Sequence, residues 1–266
     1  MPFNSSRDGF QNEDEFVKCL DNKEFRNVEF NLRLFLEDLF GVINENDIVK
    51  CYKSKGPYKY DILIEINNKI KRISIKKGFK NSVHAEPISE FVHFLILNKM
   101  PREMVINFLK YHYADGTTNG SGVNRISISE YKKSHQKEID EINVFLNNKD
   151  ILIKAINRFV IKGRNSIYKI DALLYGVPED FIWIKRKDIY KILLNKRNDY
   201  SSSIHFGSLT YQPMDRCLNN NSKYEKSRYI SQVKWYNLGD DIIENMNNSV
   251  IMSSHDNNAG VLTCLD

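Results

Sequence analysis

Cysteine is scarce in this 266-residue chain: Cys19, Cys51, Cys217 and Cys264 lie far apart with no paired spacing. That excludes a cysteine zinc cluster and a disulfide framework, and makes a reducing compartment the simplest setting. No run approaches the ~18 consecutive apolar residues of a membrane span. The opening stretch MPFNSSRDGFQNEDEF has neither a charged nor an apolar leader region, so a cytoplasmic protein without membrane contact is expected. His84, His93, His112, His135 and His205 show no HExxH or comparable spacing, which argues against a histidine zinc site. P-loop, GxSxG and GxGxxG motifs are missing too, so no nucleotide cofactor is expected. Internal repeats and long linkers are also absent.

What is present suits one large domain or two small ones, since 41% of the residues are hydrophobic and can form a real core. The net charge of +5 is modest, but Lys and Arg gather at Lys69 to Lys80, Lys185 to Arg197 and Lys223 to Arg228. Such patches suit phosphate backbones, and they equally suit a solvated surface.

Along the chain, Phe25, Val28, Leu32, Phe35, Leu36 and Leu39 recur with helical period up to Gly41. PISEFVHFLILNK opens a second helix at Pro87, preceded by SVHAEP read as a turn, and Pro101 opens a third. ADGTTNGSGVN, 114 to 124, is a loop free to move, Arg125 to Ile128 a brief strand, and 129 to 160 one or two helices. NSIYKIDALLYG, PEDFIWIK, SIHFGSLTYQP and YISQVKWYNL read as strands that could extend a sheet, KDIYKILLNK as a short helix, and 247 to 266 as weakly periodic. The expected fold is α/β, a mixed β-sheet core flanked by helices. The economical reading is one continuous domain, with a core over 1–160 and a less defined α+β C-terminal half over 161–266.

The segment with the most chemistry is PYKYDILIEINNKIKRISIKKG, Pro57 to Gly78. Two isoleucine-rich runs flank Asn67, Asn68 and Lys69, the composition of a β-hairpin with a tight turn. If Ile66 faces Lys69, Asp61 faces Ser74. Alternation then puts Ile62, Ile64, Ile66, Ile73 and Ile75 on one face, and Asp61, Leu63, Glu65, Arg72, Ser74 and Lys76 on the other. A carboxylate thus stands opposite a hydroxyl with an ammonium diagonally adjacent. Phosphodiester hydrolysis needs a metal ion and a positive group, so Asp61 and the Ile75 carbonyl are candidate Mg²⁺ ligands and Lys76 the cationic partner.

These residues resemble the motif of the restriction-endonuclease-like superfamily, an Asp, often after Pro, followed on the next strand by (Asp/Glu)-x-Lys. Asp61 and Ser74-Ile75-Lys76 match it, with Tyr60 in place of Pro and Ser74 in place of the acid. The resemblance covers about residues 25 to 98. It implies that the acid is displaced to the next helix, about thirteen residues beyond the lysine: Glu90 by count, or Glu86 one helical turn earlier, with His84 nearby. An early helical glutamate, Glu29 or Glu37, would add an outer ligand. It further implies a Mg²⁺-dependent endonuclease acting on double-stranded DNA, a type II restriction enzyme working as a homodimer.

In the C-terminal half Gln212, Arg216, Lys223, Arg228, Gln232 and Lys234 are interleaved with Tyr211, Tyr224, Tyr229, Trp235 and Tyr236. These residue types suit phosphate, base-edge and stacking contacts, and Lys77, Lys80 and Arg125 join them as candidate DNA contacts. Asp171, in a second strand of similar pattern, lacks a following acid-x-Lys and reads as structural. Two other classes remain: a DNA-binding protein with the nuclease fold but not its chemistry, and an interaction protein whose basic patches are incidental.

Overall fold

The computed structural model describes residues 5–78, 81–164, 166–195, 203–213 and 222–247. In chain order the first elements are α1 (Ser5–Leu20), β1 (Lys23–Glu24), α2 (Phe30–Phe40), β2 (Ile48–Lys53), β3 (Ile62–Ile66) and β4 (Lys69–Lys76). There follow β5 (Asn81–Pro87), α3 (Ile88–Leu97), α4 (Arg102–Tyr113), α5 (Ile128–Ser134), α6 (Gln136–Leu146) and α7 (Lys149–Ile156), which runs into a π-helical stretch, Asn157–Lys162. The last are β6 (Ala172–Val177), β7 (Asp180–Lys185), α8 (Arg186–Asn195), β8 (His205–Phe206), β9 (Leu209–Pro213) and β10 (Ile230–Trp235). This is a mixed α/β protein, as the sequence pattern predicts. No helix among the described residues is long and apolar enough to cross a membrane.

Two compact units divide the chain, and each is discontinuous. The described residues of the first fall within Met1–Phe79, Asn165–Ile192 and Asn237–Asp266, and those of the second within Lys80–Arg164 and Leu193–Tyr236. A single boundary near residue 160 does not coincide with this division, because strands on either side of it pair with each other. In the first unit the sheet order is β1-β2-β3-β4-β6-β7. Its one parallel pair is β4 with β6, and parallel neighbours need a long crossover. Here the crossover contains all of 81–164.

The β3–β4 hairpin has the predicted register, with Ile66 opposite Lys69 and Ile62 opposite Ile73. Asn67 and Asn68 both take positive φ, 49° and 62°, the signature of the two-residue turn whose twist matches the strands. All five isoleucines of the predicted apolar face are buried, and Phe16 and Leu20 of α1 and Leu32, Phe35 and Leu36 of α2 pack in the same core. α2 ends at Gly41, where φ of 81° suits a residue without a β-carbon. The predicted helix is shorter at its start: Phe25–Asn27 forms a single 3₁₀ turn, and α1 precedes it.

Several expectations are corrected. SVHAEP is not a turn but most of β5, paired antiparallel with β10, so Glu86 sits on a strand and α3 begins only after Pro87. Its polar composition hides the strand, while tertiary pairing forms it. Arg125 to Ile128 is not a strand, because Ser127 caps α5 in a reciprocal capping box with Glu130. β6 and β7 extend the hairpin sheet, whereas β8, β9 and β10 join β5 in a separate antiparallel sheet, order β5-β10-β9-β8. Residues 129 to 160 form three helices rather than one or two. Residues 114 to 124 do form a loop, as expected, and within it Asp115 accepts bonds from the Thr117 amide and hydroxyl and from the Gly122 amide. Of the weakly periodic tail, 248–266 lies outside the described residues.

Aromatic rings fill the second unit. Phe91 stacks on Phe108 and on Phe159, with centroids 5.2 and 5.0 Å apart, and meets Tyr211 edge-on at 4.9 Å.

Candidate active site

Asp61 stands one residue before β3, pinned by its main chain: its amide donates to the Ile73 carbonyl at 2.8 Å, and its carbonyl accepts from the Ser54 amide at 2.9 Å. That anchoring places the carboxylate over β4. Oδ2 accepts three hydrogen bonds, from the Ile75 amide at 2.6 Å, the Ser74 hydroxyl at 3.0 Å and the Lys76 ammonium at 3.3 Å. No described residue donates to Oδ1. Lys76 Nζ also donates to the Ile75 carbonyl at 2.8 Å, so one cation bridges the two oxygens that the sequence pattern assigns to a metal. Ser74 is buried, whereas Asp61 and Lys76 keep about a fifth of their side chains exposed, 21% and 22%.

One further carboxylate, which no motif singles out, is under the influence of Asp61 and Lys76. Glu13, on α1, lies 3.4 Å from Lys53 Nζ, which also donates to Asp14 at 2.8 Å and to the Phe10 carbonyl at 3.0 Å. Burial, and next the negative charge of Asp61, push the Glu13 carboxyl above its ordinary range, against the pull of Lys53 and Lys76. Glu13 is therefore influenced by the Asp61 carboxylate and by two ammonium groups. Of the expected helical glutamates, Glu29 stands just before α2 and Glu37 lies on it, and both are exposed. The acidic run NEDE was the available signal, but helical period alone gives no reason to prefer Glu13 over its neighbours.

Glu86 and Glu90 belong to the second unit. Glu86 is 6% exposed, 2.7 Å from Arg158 and 3.1 Å from His84 Nε2. Burial would raise its carboxyl, but His84 and Arg158 outweigh that and hold it below the usual range. Glu90 pairs with Arg164 at 2.7 Å, and its carbonyl accepts from Arg158 at 3.2 Å. Among the described residues no group of three or more His, Cys, Asp or Glu side chains is placed to hold a metal ion.

The candidate DNA contacts have varied surroundings. Arg125 donates to the His112 carbonyl at 2.8 Å, and Arg228 to the Gly120 carbonyl at 2.9 Å, so both brace the 114–124 loop. Lys234 is 8% exposed, with Nζ 5.9 Å from the Tyr236 ring. Gln212 and Gln232 face each other across β9 and β10, half-buried, and Tyr236 donates to Gln212 Oε1 at 3.1 Å. Lys77 follows β4 and is half-buried. Lys80, Arg216 and the side chain of Lys223 lie outside the described residues. Asp171 has the structural role expected of it: Oδ2 accepts the Arg72 amide at 2.9 Å, tying β4 to the start of β6.

No protein-family model matches the chain, and no curated protein is similar to it.

Proposed function

We propose that the protein is a Mg²⁺-dependent DNA endonuclease whose chemistry resides on the β3–β4 hairpin. The observation that carries this reading is the convergence of Ile75 N–H, Ser74 Oγ and Lys76 Nζ on one oxygen of Asp61. A carboxylate fixed by three donors cannot swing away, and its second oxygen is left for another partner. The donors within the first unit fit a hard divalent ion, which takes oxygens and needs only one or two carboxylates beside a carbonyl and waters. Asp61 and the Ile75 carbonyl would hold it, with Glu13 as the second carboxylate. When bound, such an ion polarises a phosphate and lowers the pKa of a water.

The chain's own residues do the rest. Lys76 orients the attacking water or stabilises negative charge developing on the phosphoryl oxygens. Ser74 keeps Asp61 turned toward β4. The paired glutamines of β9 and β10 are suited to reading base edges. A homodimeric type II restriction enzyme is the form of this activity that would cut both strands of a duplex in one encounter.

The test is incubation of plasmid and phage DNA with the protein and with Lys76→Ala, in Mg²⁺ and in EDTA. Discrete fragments that require both Mg²⁺ and Lys76 are expected; cleavage unchanged in Lys76→Ala overturns the assignment.

One set of observations favours a second reading, DNA binding without turnover: Ser74 replaces an acid, and both Glu86 and Glu90 are ion-paired to arginines. That reading predicts salt-dependent DNA binding and intact DNA under every metal condition.

A further inference from the structure

Beside Asp61, on the same unit, lies a cluster of tyrosines that the hairpin chemistry does not use. Tyr58 and Tyr60 stack with centroids 5.0 Å apart and planes 9° from parallel, and Tyr168 meets them edge-on at 5.9 and 6.5 Å. Tyr60 is buried and forms the floor, but Tyr58 and Tyr168 remain 41% and 39% exposed. Gly56 makes room for this arrangement, since a β-carbon there would come within 2.8 Å of the Tyr58 ring. A cluster serving only the core would bury its rings.

Arg72 supplies the second half of the observation. Its guanidinium lies 4.5 Å from the Tyr168 ring and 6.0 Å from that of Tyr60. It makes no hydrogen bond or ion pair with any described residue, and its Nε is buried without a partner. The nearby carboxylate of Asp171 is engaged by the Arg72 backbone amide and lies 3.7 Å from Arg186. A guanidinium set over aromatic rings, with no hydrogen-bond partner among the described residues, presents a planar cation to an anion with a π-face beside it. Lys55, Lys59 and Lys169 flank these tyrosines in sequence, so the surroundings are basic.

Position connects the platform to the hairpin. Arg72, Ser74 and Lys76 share one face of β4, and Arg72 is two residues from Ser74, roughly 7 Å along the strand. That spacing is comparable with the distance between consecutive phosphates of an extended nucleic-acid strand. We infer that Tyr58, Tyr60, Tyr168 and Arg72 form a stacking platform for an unpaired nucleotide: Arg72 takes the phosphate next to the one at Asp61 and Lys76, and the tyrosines take the base. The site would therefore take duplex DNA with one nucleotide unstacked beside the reacting phosphate, for which a single-stranded tail is the simplest probe. This rests on the nuclease reading for the position of the reacting phosphate, but not for the binding itself.

The test is equilibrium binding by fluorescence anisotropy with the full-length Lys76→Ala protein, using a duplex with a single-stranded tail and the same duplex with blunt ends. The tailed duplex should bind about tenfold tighter. Tyr58→Ala and Tyr168→Ala, each added to that background, should each cost most of this preference, since loss of one base–aromatic stack weakens binding about five- to a hundredfold, and Arg72→Gln should weaken binding of the tailed duplex. Both tyrosines are exposed, so their variants should fold, with melting temperature as the check. Equal affinity for tailed and blunt duplexes overturns the inference, as does a preference that survives Tyr58→Ala combined with Tyr168→Ala. If the preference follows the tyrosines while wild-type protein with Mg²⁺ leaves DNA intact, the platform stands and the nuclease reading falls. If wild-type protein cleaves and no preference is found, the nuclease reading stands and the platform falls.

Discussion

The Ile75 amide donates to Asp61 Oδ2 at 2.6 Å, so the carboxylate is aimed by backbone rather than by side chain alone. Ser74 is the second support, at 3.0 Å. Ser74→Ala should therefore keep cleavage within about tenfold of wild type and cost about 1–2 kcal/mol of stability, whereas Asp61→Asn should abolish cleavage. Timed digestion of plasmid beside urea unfolding separates the two effects. Loss of all cleavage in Ser74→Ala would show the hydroxyl to be indispensable.

Burial and the negative charge of Asp61 both raise the Glu13 carboxyl. Glu13→Gln should lower cleavage at least about tenfold and raise the Mg²⁺ concentration needed for half-maximal rate. Glu90→Gln, removing a half-exposed partner of Arg164, should do neither. The reverse pattern in a Mg²⁺ titration would restore the displaced helical acid.

His84 and Arg158 are the two cationic partners of a carboxylate 6% exposed. Arg158→Met leaves Glu86 buried without it and should cost about 3–5 kcal/mol in urea unfolding. Glu86→Gln combined with it should recover part of that loss. Because the Glu86 carboxyl is held below its ordinary 4.5, its contribution is complete above about pH 4.5 and is lost as pH falls through the lower folded value.

His112 is fully buried between the Tyr211 hydroxyl, 2.5 Å from Nδ1, and the Arg228 carbonyl, 2.8 Å from Nε2. The carbonyl can only accept, so Nε2 carries the proton and Nδ1 accepts from Tyr211. Burial lowers the imidazole from 6.5 to about 4. Between those values the unfolded chain binds a proton that the folded chain refuses, so stability falls as pH drops from 6.5 toward 4, by about 3 kcal/mol in all. Urea midpoints measured across that range should show the slope in wild type and a shallower one in His112→Gln.

Much of the hairpin was legible because its signals are local. Period two fixes which isoleucines are buried, and a pair of asparagines between two strands fixes the turn, so the register that sets Ser74 against Asp61 follows from residues a few positions apart. Gly41 as a helix stop and the helices after Pro87 and Pro101 were legible for the same reason. β5 was not, because SVHAEP has the composition of a turn and becomes a strand only through its pairing with β10, more than a hundred residues away.

Sequence by itself determined the mixed α/β class, the polar and apolar faces of β3 and β4, and the Asp61, Ser74 and Lys76 constellation, all properties of side-chain alternation over short spans. Tertiary structure alone decided that β4 lies parallel to β6, that β8 to β10 form their own sheet with β5, and that Glu13 senses the charge of Asp61. It also decided that Tyr168 joins Tyr58 and Tyr60 around Arg72. Those arrangements depend on burial and on pairings between distant segments, whose stabilisation exists only once the chain has closed on itself and which no local pattern of residues encodes.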